Sequence, residues 1–459
     1  MTWPLPTDPQ TFDERRQKLQ NLFSGCAIFA AGLARPRNFP ANRYYYRADS
    51  HFLYLVGMPL EGAVLSKGAS GWVLYAEPPE PNAELWSVPP PSLVEIEAQL
   101  GIEVRPVDEV SIPKDAAVLP PQDVETVHWL QELLGRELDP DHAGKLEGVD
   151  RELAKAMITL RLQHDAAALT QLRQAAGATC RAHREGMRTT RPGLREAAVR
   201  GAMESTLTAL GMGCSYNSIV TARGEILHNH CYEHLLESGD LVLADVGAET
   251  PEGWAGDVTR TWPVSGRFST TQRVIYEAVL AAQEAAIAAV APGKRFLDIH
   301  RLAGKVLLDG LISLGLLRGE SDELYAEGAV GVFFPHGIGH LLGLDVHDME
   351  DLGDLAGYAE GRERPQGLGD RFLRLDRDLL PGMVVTIEPG FYRIPALLRS
   401  PPERIAAAID WQELRRFEDV RGIRIEDDVL VTDQGHEVLT RELPKQAEEV
   451  EALVGCSEA

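Results

Sequence analysis

The chain has 459 residues, 44% of them hydrophobic and 25% charged, with a formal net charge of −24 at pH 7. That length accommodates two or three soluble domains. The acidic surplus excludes nucleic acid or an anionic membrane surface as a partner, because both reward a basic surface. The opening MTWPLPTDPQTFDERRQ has prolines and acids where a secretory leader needs a basic start and an apolar run. No apolar stretch reaches membrane-spanning length. Five scattered cysteines (Cys26, Cys180, Cys214, Cys231, Cys456), without a CxxC spacing, read as free thiols in a reducing cytoplasm.

In chain order, Thr11–Leu22 is predicted as an amphipathic helix. Cys26–Ala31, His51–Gly57 and Gly71–Ala76 are predicted as short buried strands, and the proline-rich 77–91 as a loop. Val94–Leu100 and Val124–Leu134 read as helices and Ala116–Leu119 as a strand, which makes an N-terminal α/β domain over 1–152. The aromatic and basic run Arg43–Arg47 (RYYYR) reads as a packed surface loop. The second domain, 153–459, begins with a helical stretch over Arg151–Glu185. Helices over Leu194–Leu210, Thr270–Val290 and Phe296–Leu314 follow, set off by Pro192-Gly193 and Pro292-Gly293. Strands are predicted at Ser218–Thr221, 241–246, 257–264, 330–334, 383–388 and 422–431. Helices alternating with hairpin-linked strands give an α+β fold, with helices on one side of a curved antiparallel sheet. Ile394–Arg421 reads as a long, partly helical insertion.

The second domain concentrates the chemistry. Leu241–Trp262, LVLADVGAETPEGWAGDVTRTW, ends one strand in Asp245 and begins the next after Asp257. An antiparallel pairing sets the two carboxylates side by side, and they repel unless a proton or a metal is shared. Phe334–Asp348, FPHGIGHLLGLDVHD, holds His336, His340 and His347 among glycines. Its HGxxH order lacks the acid of the HExxH zinc-protease helix. In MVVTIEPGFY, period two leaves Glu388 at the end of an apolar strand, where a buried charge needs a cation or a proton. In GIRIEDDVLV, Arg424, Glu426 and Asp428 share one face. Four carboxylates and one imidazole (Asp245, Asp257, Glu388, Glu426 and His340) suit two divalent ions. Manganese comes first for so oxygen-rich a set, with zinc or cobalt as alternatives. Two such ions acidify a bridging water, which is hydrolytic chemistry, and Glu388 is the candidate base.

The segments LADVG, GDVTRTW, PHGIGHLLGLDVHD, TIEPG and GIRIEDD resemble the pita-bread metallopeptidases, namely prolidase and aminopeptidase P, with methionine aminopeptidase more distant. The resemblance is strong over about 155–445 and weaker over RYYYRADSHFLYLVG. It implies a catalytic pita-bread domain behind a smaller N-terminal one, and a dinuclear site of Asp245, Asp257, His340, Glu388 and Glu426. It also implies His228, His336 and His347 around the substrate, with His347 on the scissile carbonyl or its oxyanion and His336 on the substrate backbone. Arg424 and Tyr392 are placed beside the metals. HNHCYEH after Leu227 departs from the family pattern and leaves His230 and His234 unassigned.

The expected activity is cleavage of the Xaa-Pro bond in short proline-containing peptides. RFLRLDR and the 394–420 insertion resemble prolidase, in which an Arg at the place of Arg374 binds the carboxylate of a dipeptide, so an Xaa-Pro dipeptidase is expected. The N-terminal stretch resembles aminopeptidase P, which makes release of the first residue from longer Xaa-Pro-Yaa peptides the alternative. The same fold serves binding proteins and a metal-free amidinohydrolase, but both would be expected to lose the acids kept here. The resemblance further implies a homodimer formed through the N-terminal domain.

Overall fold

The computed structural model describes residues 8–69, 71–86, 88–139, 141 and 145–456; the first seven residues of the segment tested for a leader lie outside it. Two compact units result, Met1–Leu162 with Met349–Ala356, and Gln163–Asp348 with Gly357–Ala459. Among the described residues no helix is long and apolar enough to cross a membrane.

The first unit contains α1 (Pro9–Leu22), β1 (Ala27–Ala30), α2 (Ser50–Val56), β2 (Val64–Gly68), β3 (Gly71–Ala76), α3 (Leu93–Leu100), β4 (Glu103–Pro106), β5 (Ala117–Val118), α4 (Val124–Leu134) and α5 (Gly148–Arg161). The strand order is β4-β3-β2-β1-β5. Only β2 runs against its neighbours; β1 with β5, and β3 with β4, are parallel. Ile28, Val64, Val118, Val127, Leu130 and Leu134 close the core between this sheet and α4.

The predicted strand at His51–Gly57 is instead α2. The Asp49 carboxylate caps it by accepting from His51 N at 2.9 Å and Phe52 N at 3.1 Å, and Gly57 ends it in the left-handed region. All seven residues are buried, so no alternation distinguishes a strand from a buried helix. In 43–47, Tyr45 stands 90% exposed, whereas the Tyr46 hydroxyl donates to Ala31 O at 2.9 Å.

The second unit contains α6 (Ala166–Thr189), α7 (Glu196–Ala209), β6 (Gly213–Cys214), β7 (Ile219–Thr221), β8 (Leu241–Asp245), β9 (Ala248–Glu249), β10 (Thr259–Pro263), α8 (Thr270–Ala289), α9 (Phe296–Ser313), α10 (Ser321–Ala326) and α11 (Val330–Phe333). It continues with β11 (Val384–Ile387), β12 (Gly390–Tyr392), β13 (Gly422–Arg424), β14 (Asp427–Thr432) and β15 (Gly435–Val438). The predicted helix over 151–185 is broken into α5 and α6, because Asp165 caps a new start by accepting from Ala168 N at 2.8 Å. The predicted strand at 330–334 is the short, fully buried helix α11, again an apolar run with no period to read. The insertion folds as three short helices, Pro395–Arg399, Glu403–Ala408 and Trp411–Arg415.

Two antiparallel sheets repeat one plan: β10-β8-β7, with the helix pair α6/α7 in the same half of the unit, and β11-β14-β15, with the pair α8/α9. Ala182, Met187, Val199, Met203, Val242, Val246 and Trp262 form the core of the first half. Each sheet ends two adjacent strands in acids. Asp245 closes β8 and Asp257 precedes β10; Glu388 follows β11 and Glu426 precedes β14.

Candidate metal centre

The pairing of β8 with β10 matches Thr259 to Asp245, which leaves Asp257 just beyond the ladder and beside Asp245. The two carboxylates share a donor that the sequence pattern did not single out: the Tyr216 hydroxyl lies 2.5 Å from Asp245 Oδ1 and 2.6 Å from Asp257 Oδ1. Tyr216 stands three residues before β7, the other neighbour of β8, so only the sheet topology reveals it. Gly247 and Gly256 pass so closely that a Cβ on Gly247 would lie 1.9 Å from Gly256 O, which is how the connection between the acids stays tight.

The histidine stretch runs along the edge of β11. Thr386 N donates to His340 O at 3.0 Å and Glu388 N to Ile338 O at 2.8 Å. Gly339 permits this approach, since a Cβ there would fall 1.9 Å from Thr386 O. His340 Nε2 is thereby placed 3.3 Å from Asp257 Oδ2 and 3.8 Å from Glu388 Oε1, while its Nδ1 lies 2.9 Å from Leu341 O. A backbone carbonyl on Nδ1 fixes the tautomer that offers Nε2 to a cation. Ligand atoms of Asp257, His340 and Glu426, all buried, fall within 4.8 Å of one another.

Arg424 organises the other side. Its guanidinium donates to Asp245 Oδ2 at 2.6 Å, to the Tyr392 hydroxyl at 2.9 Å and to Thr259 Oγ1 at 2.9 Å. Thr259 Oγ1 in turn donates to Glu426 Oε2 at 2.7 Å. The Tyr392 hydroxyl meets His336 Nε2 at 2.7 Å, and His336 Nδ1 meets Gly337 O at 2.9 Å. With Arg424 donating to the phenol oxygen, its proton goes to His336 Nε2, so His336 carries its proton on Nδ1. Burial, aided by Arg424, pushes the His336 imidazolium down to about 3, which keeps the ring neutral.

The carboxylates are strained by their company. Burial pushes the Glu388 carboxyl up to about 7, with Asp257 and Asp245 adding and His340 and Arg424 opposing. Burial and the neighbouring acids also raise Glu426, and burial with Asp257 raises Asp245 against the pull of Arg424. His340 moves the opposite way, up to about 9: burial lowers it, but Asp257 and Glu388 outweigh that. A cluster that takes up protons to offset its own charge has the donors and the electrostatic demand of a divalent-cation site.

These groups surround one cavity of about 360 Å³, lined by Asp245, Asp257, His340, Glu388, Glu426 and Arg424 and also by His228, His336, His347, Arg364, Phe372 and Arg374. All the residues assigned to the site from the sequence thus line it except Tyr392, which lies one hydrogen bond behind Arg424 and His336. The His347 ring centroid is 4.1 Å from that of His340. Arg364 and Phe372 were not anticipated, although Phe372 falls inside the RFLRLDR run. His230 and His234 are not among the lining residues; His234 Nε2 pairs with Asp240 Oδ2 at 3.1 Å.

Comparison with known proteins agrees with this architecture. Residues 170–433 match the model of metallopeptidase family M24, and residues 12–117 match that of the aminopeptidase P N-terminal domain. The chain is 37% identical to the Xaa-Pro dipeptidase of Homo sapiens over 336 residues, 71% of this chain but only 66% of that relative, just short of two thirds of its length. It is 30% identical over 466 residues to the Xaa-Pro aminopeptidase of Haemophilus influenzae, covering 97% of both chains. The solved aminopeptidase PepP of Pseudomonas aeruginosa superposes with a TM-score of 0.79 at 30% identity, over 98% of each chain. With more than half its length matched by the family model, and the fold matched from end to end, the chain belongs to metallopeptidase family M24.

Proposed function

We propose that this chain is a two-metal exopeptidase that hydrolyses Xaa-Pro bonds. The observation that carries the reading is the convergence of Asp257, His340 and Glu426, with Asp245 and Glu388 beside them, in the lining of one cavity. Asp245, Asp257, His340, Glu388 and Glu426 would hold the cations, with manganese first and zinc or cobalt as alternatives. A cation pair so held supplies an acidified water and a Lewis acid for the scissile carbonyl. Glu388 takes the proton of the attacking water. His347 faces the oxygen on which charge develops, and His336, held neutral, meets the substrate backbone by exchanging its Tyr392 hydrogen bond for one to the peptide. Arg424 and Tyr392 hold Asp245 and His336 in place, and His228 contacts the peptide in the cavity.

The substrate class follows from the relatives, which are named as Xaa-Pro dipeptidases and Xaa-Pro aminopeptidases. Likeness over the whole chain and the N-terminal domain match both favour the aminopeptidase. The dipeptidase keeps one specific support, Arg374 at the cavity, whose guanidinium suits the terminal carboxylate of Xaa-Pro. Rates on Xaa-Pro, Xaa-Pro-Yaa and Xaa-Ala peptides, with manganese, zinc or cobalt added to the chelated protein, test the reading. Faster turnover of Xaa-Pro-Yaa than Xaa-Pro selects the aminopeptidase, and equal rates on Xaa-Ala would remove the proline specificity. A homodimer and a cytoplasmic location belong to the same reading, and light scattering tests the dimer.

A further inference from the structure

Glu426 and Asp428 face Asp257: Glu426 shares the ligand cluster with it, and Asp428 Oδ2 accepts from Asp257 N at 3.3 Å. Strand alternation sends the residue between them, Asp427, the other way. Asp427 is 1% exposed and saturated with donors. Its Oδ1 accepts from Arg260 Nη2 and Thr440 Oγ1, each at 2.7 Å. Its Oδ2 accepts from Gln283 Nε2 of α8 at 2.7 Å and Lys445 Nζ at 2.9 Å. Arg260, 0% exposed, spends its remaining N–H groups on carbonyls: Glu426 O at 2.6 Å, Thr259 O and Leu443 O at 3.1 Å, and Pro444 O at 3.0 Å. Neither Arg260 nor Asp427 lines the cavity.

The placement is specific. Arg260 stands three residues after Asp257 and grips the carbonyl of Glu426, and Asp427 is the next residue after Glu426. A buried ion pair is a poor way to gain stability, because well-packed apolar residues of similar volume commonly do as well. It does fix the separation of the segments it joins. The segments here are the two that bring Asp257 and Glu426 within ligand distance of each other.

We infer that the buried Arg260–Asp427 pair is a positioning device for the metal centre, setting the spacing of Asp257 and Glu426 from behind. This rests on the metallopeptidase reading above. Groups that orient ligands from outside the coordination shell commonly contribute 10–100-fold in metal affinity. The test is calorimetric titration of the chelated full-length protein with Co²⁺, together with the visible absorption of the Co²⁺ form. Asp427→Asn and Arg260→Lys are compared with Leu311→Ala, a buried apolar truncation in α9 away from the cavity lining. The expected result is a Co²⁺ affinity lowered about 10–100-fold and an altered Co²⁺ spectrum in both polar variants. Leu311→Ala should lose thermal stability and keep both. If Asp427→Asn and Arg260→Lys bind Co²⁺ as the parent does, with the parent spectrum, the pair is only structural and the inference falls. Should those buried variants not fold, Lys445→Met, at a partner whose side chain is 22% exposed, carries the same comparison. A parent protein that binds no Co²⁺ would instead overturn the metallopeptidase reading itself.

Discussion

Arg424→Met separates the two ways in which the acid cluster can be neutralised. Arg424 donates directly to a cluster carboxylate through its 2.6 Å bond to Asp245, and both side chains are largely buried, 5% and 14% exposed. Removing one member of a buried ion pair costs about 3–5 kcal/mol, because the other charge is left uncompensated. That full cost should fall on the metal-free protein at pH 8, where Glu388, with its carboxyl pushed up to about 7 chiefly by burial, is ionised. In the metal-loaded protein the cations supply the compensating charge. The loss then shrinks toward that of the two hydrogen bonds to Tyr392 and Thr259, about 1 kcal/mol each. In metal-free protein at pH 5.5 it should shrink as well, because protonated carboxyls need no counter-charge. Urea unfolding of parent and variant, chelated and manganese-saturated, followed by tryptophan fluorescence, measures all three conditions. Equal losses with and without metal would refute the reasoning.

Three further outcomes are expected. His347→Ala should lower kcat by about 10²-fold or more with a smaller change in KM, since a donor to the developing oxyanion acts in the transition state; steady-state kinetics on a proline peptide decides, and a change confined to KM reassigns His347 to ground-state binding. Arg374→Ala should depress kcat/KM for Xaa-Pro more than for Xaa-Pro-Yaa without altering metal content, and equal effects on both remove Arg374 as a selector. Burial, with Arg260 adding, pushes the His183 imidazolium down to about 3. The unfolded chain then binds a proton at this residue below about 6.5 that the folded chain refuses, so stability falls as pH drops from about 6.5 toward 3, by at most about 1.4 kcal/mol per unit. His183→Asn should flatten that slope in urea midpoints measured against pH, and an unchanged slope contradicts the assignment.

The site was far more legible in the sequence than the secondary structure around it. Acids that end apolar strands are costly unless compensated, so Asp245 and Glu388 stood out; the hairpin pairing added Asp257, and period two put Arg424 and Glu426 on one face. Periodicity failed where there was none to read. The 50–56 and 330–333 runs are buried on every side, and an unbroken apolar run fits a strand or a helix equally well. In the first case the deciding feature was a single cap, Asp49, whose carboxylate meets two amide groups. Tyr216, Arg364 and Phe372 were missed for another reason. Each reaches the cavity through tertiary folding, Tyr216 by the pairing of β7 with β8 and the other two from one irregular loop, and no local pattern carries that information.

The central claim is that the four acids and His340 exist to hold two cations that the reaction requires. The most direct measurement is activity on an Xaa-Pro-Yaa peptide, and on Xaa-Pro, as manganese is added back to chelated protein, with bound metal counted in the same samples. The account predicts negligible hydrolysis without metal, activity that reaches its plateau as occupancy approaches two ions per chain, and loss of both high-affinity binding and activity in Glu388→Gln. Full activity in the chelated protein, or a plateau reached with Glu388→Gln at the parent's rate, would contradict it.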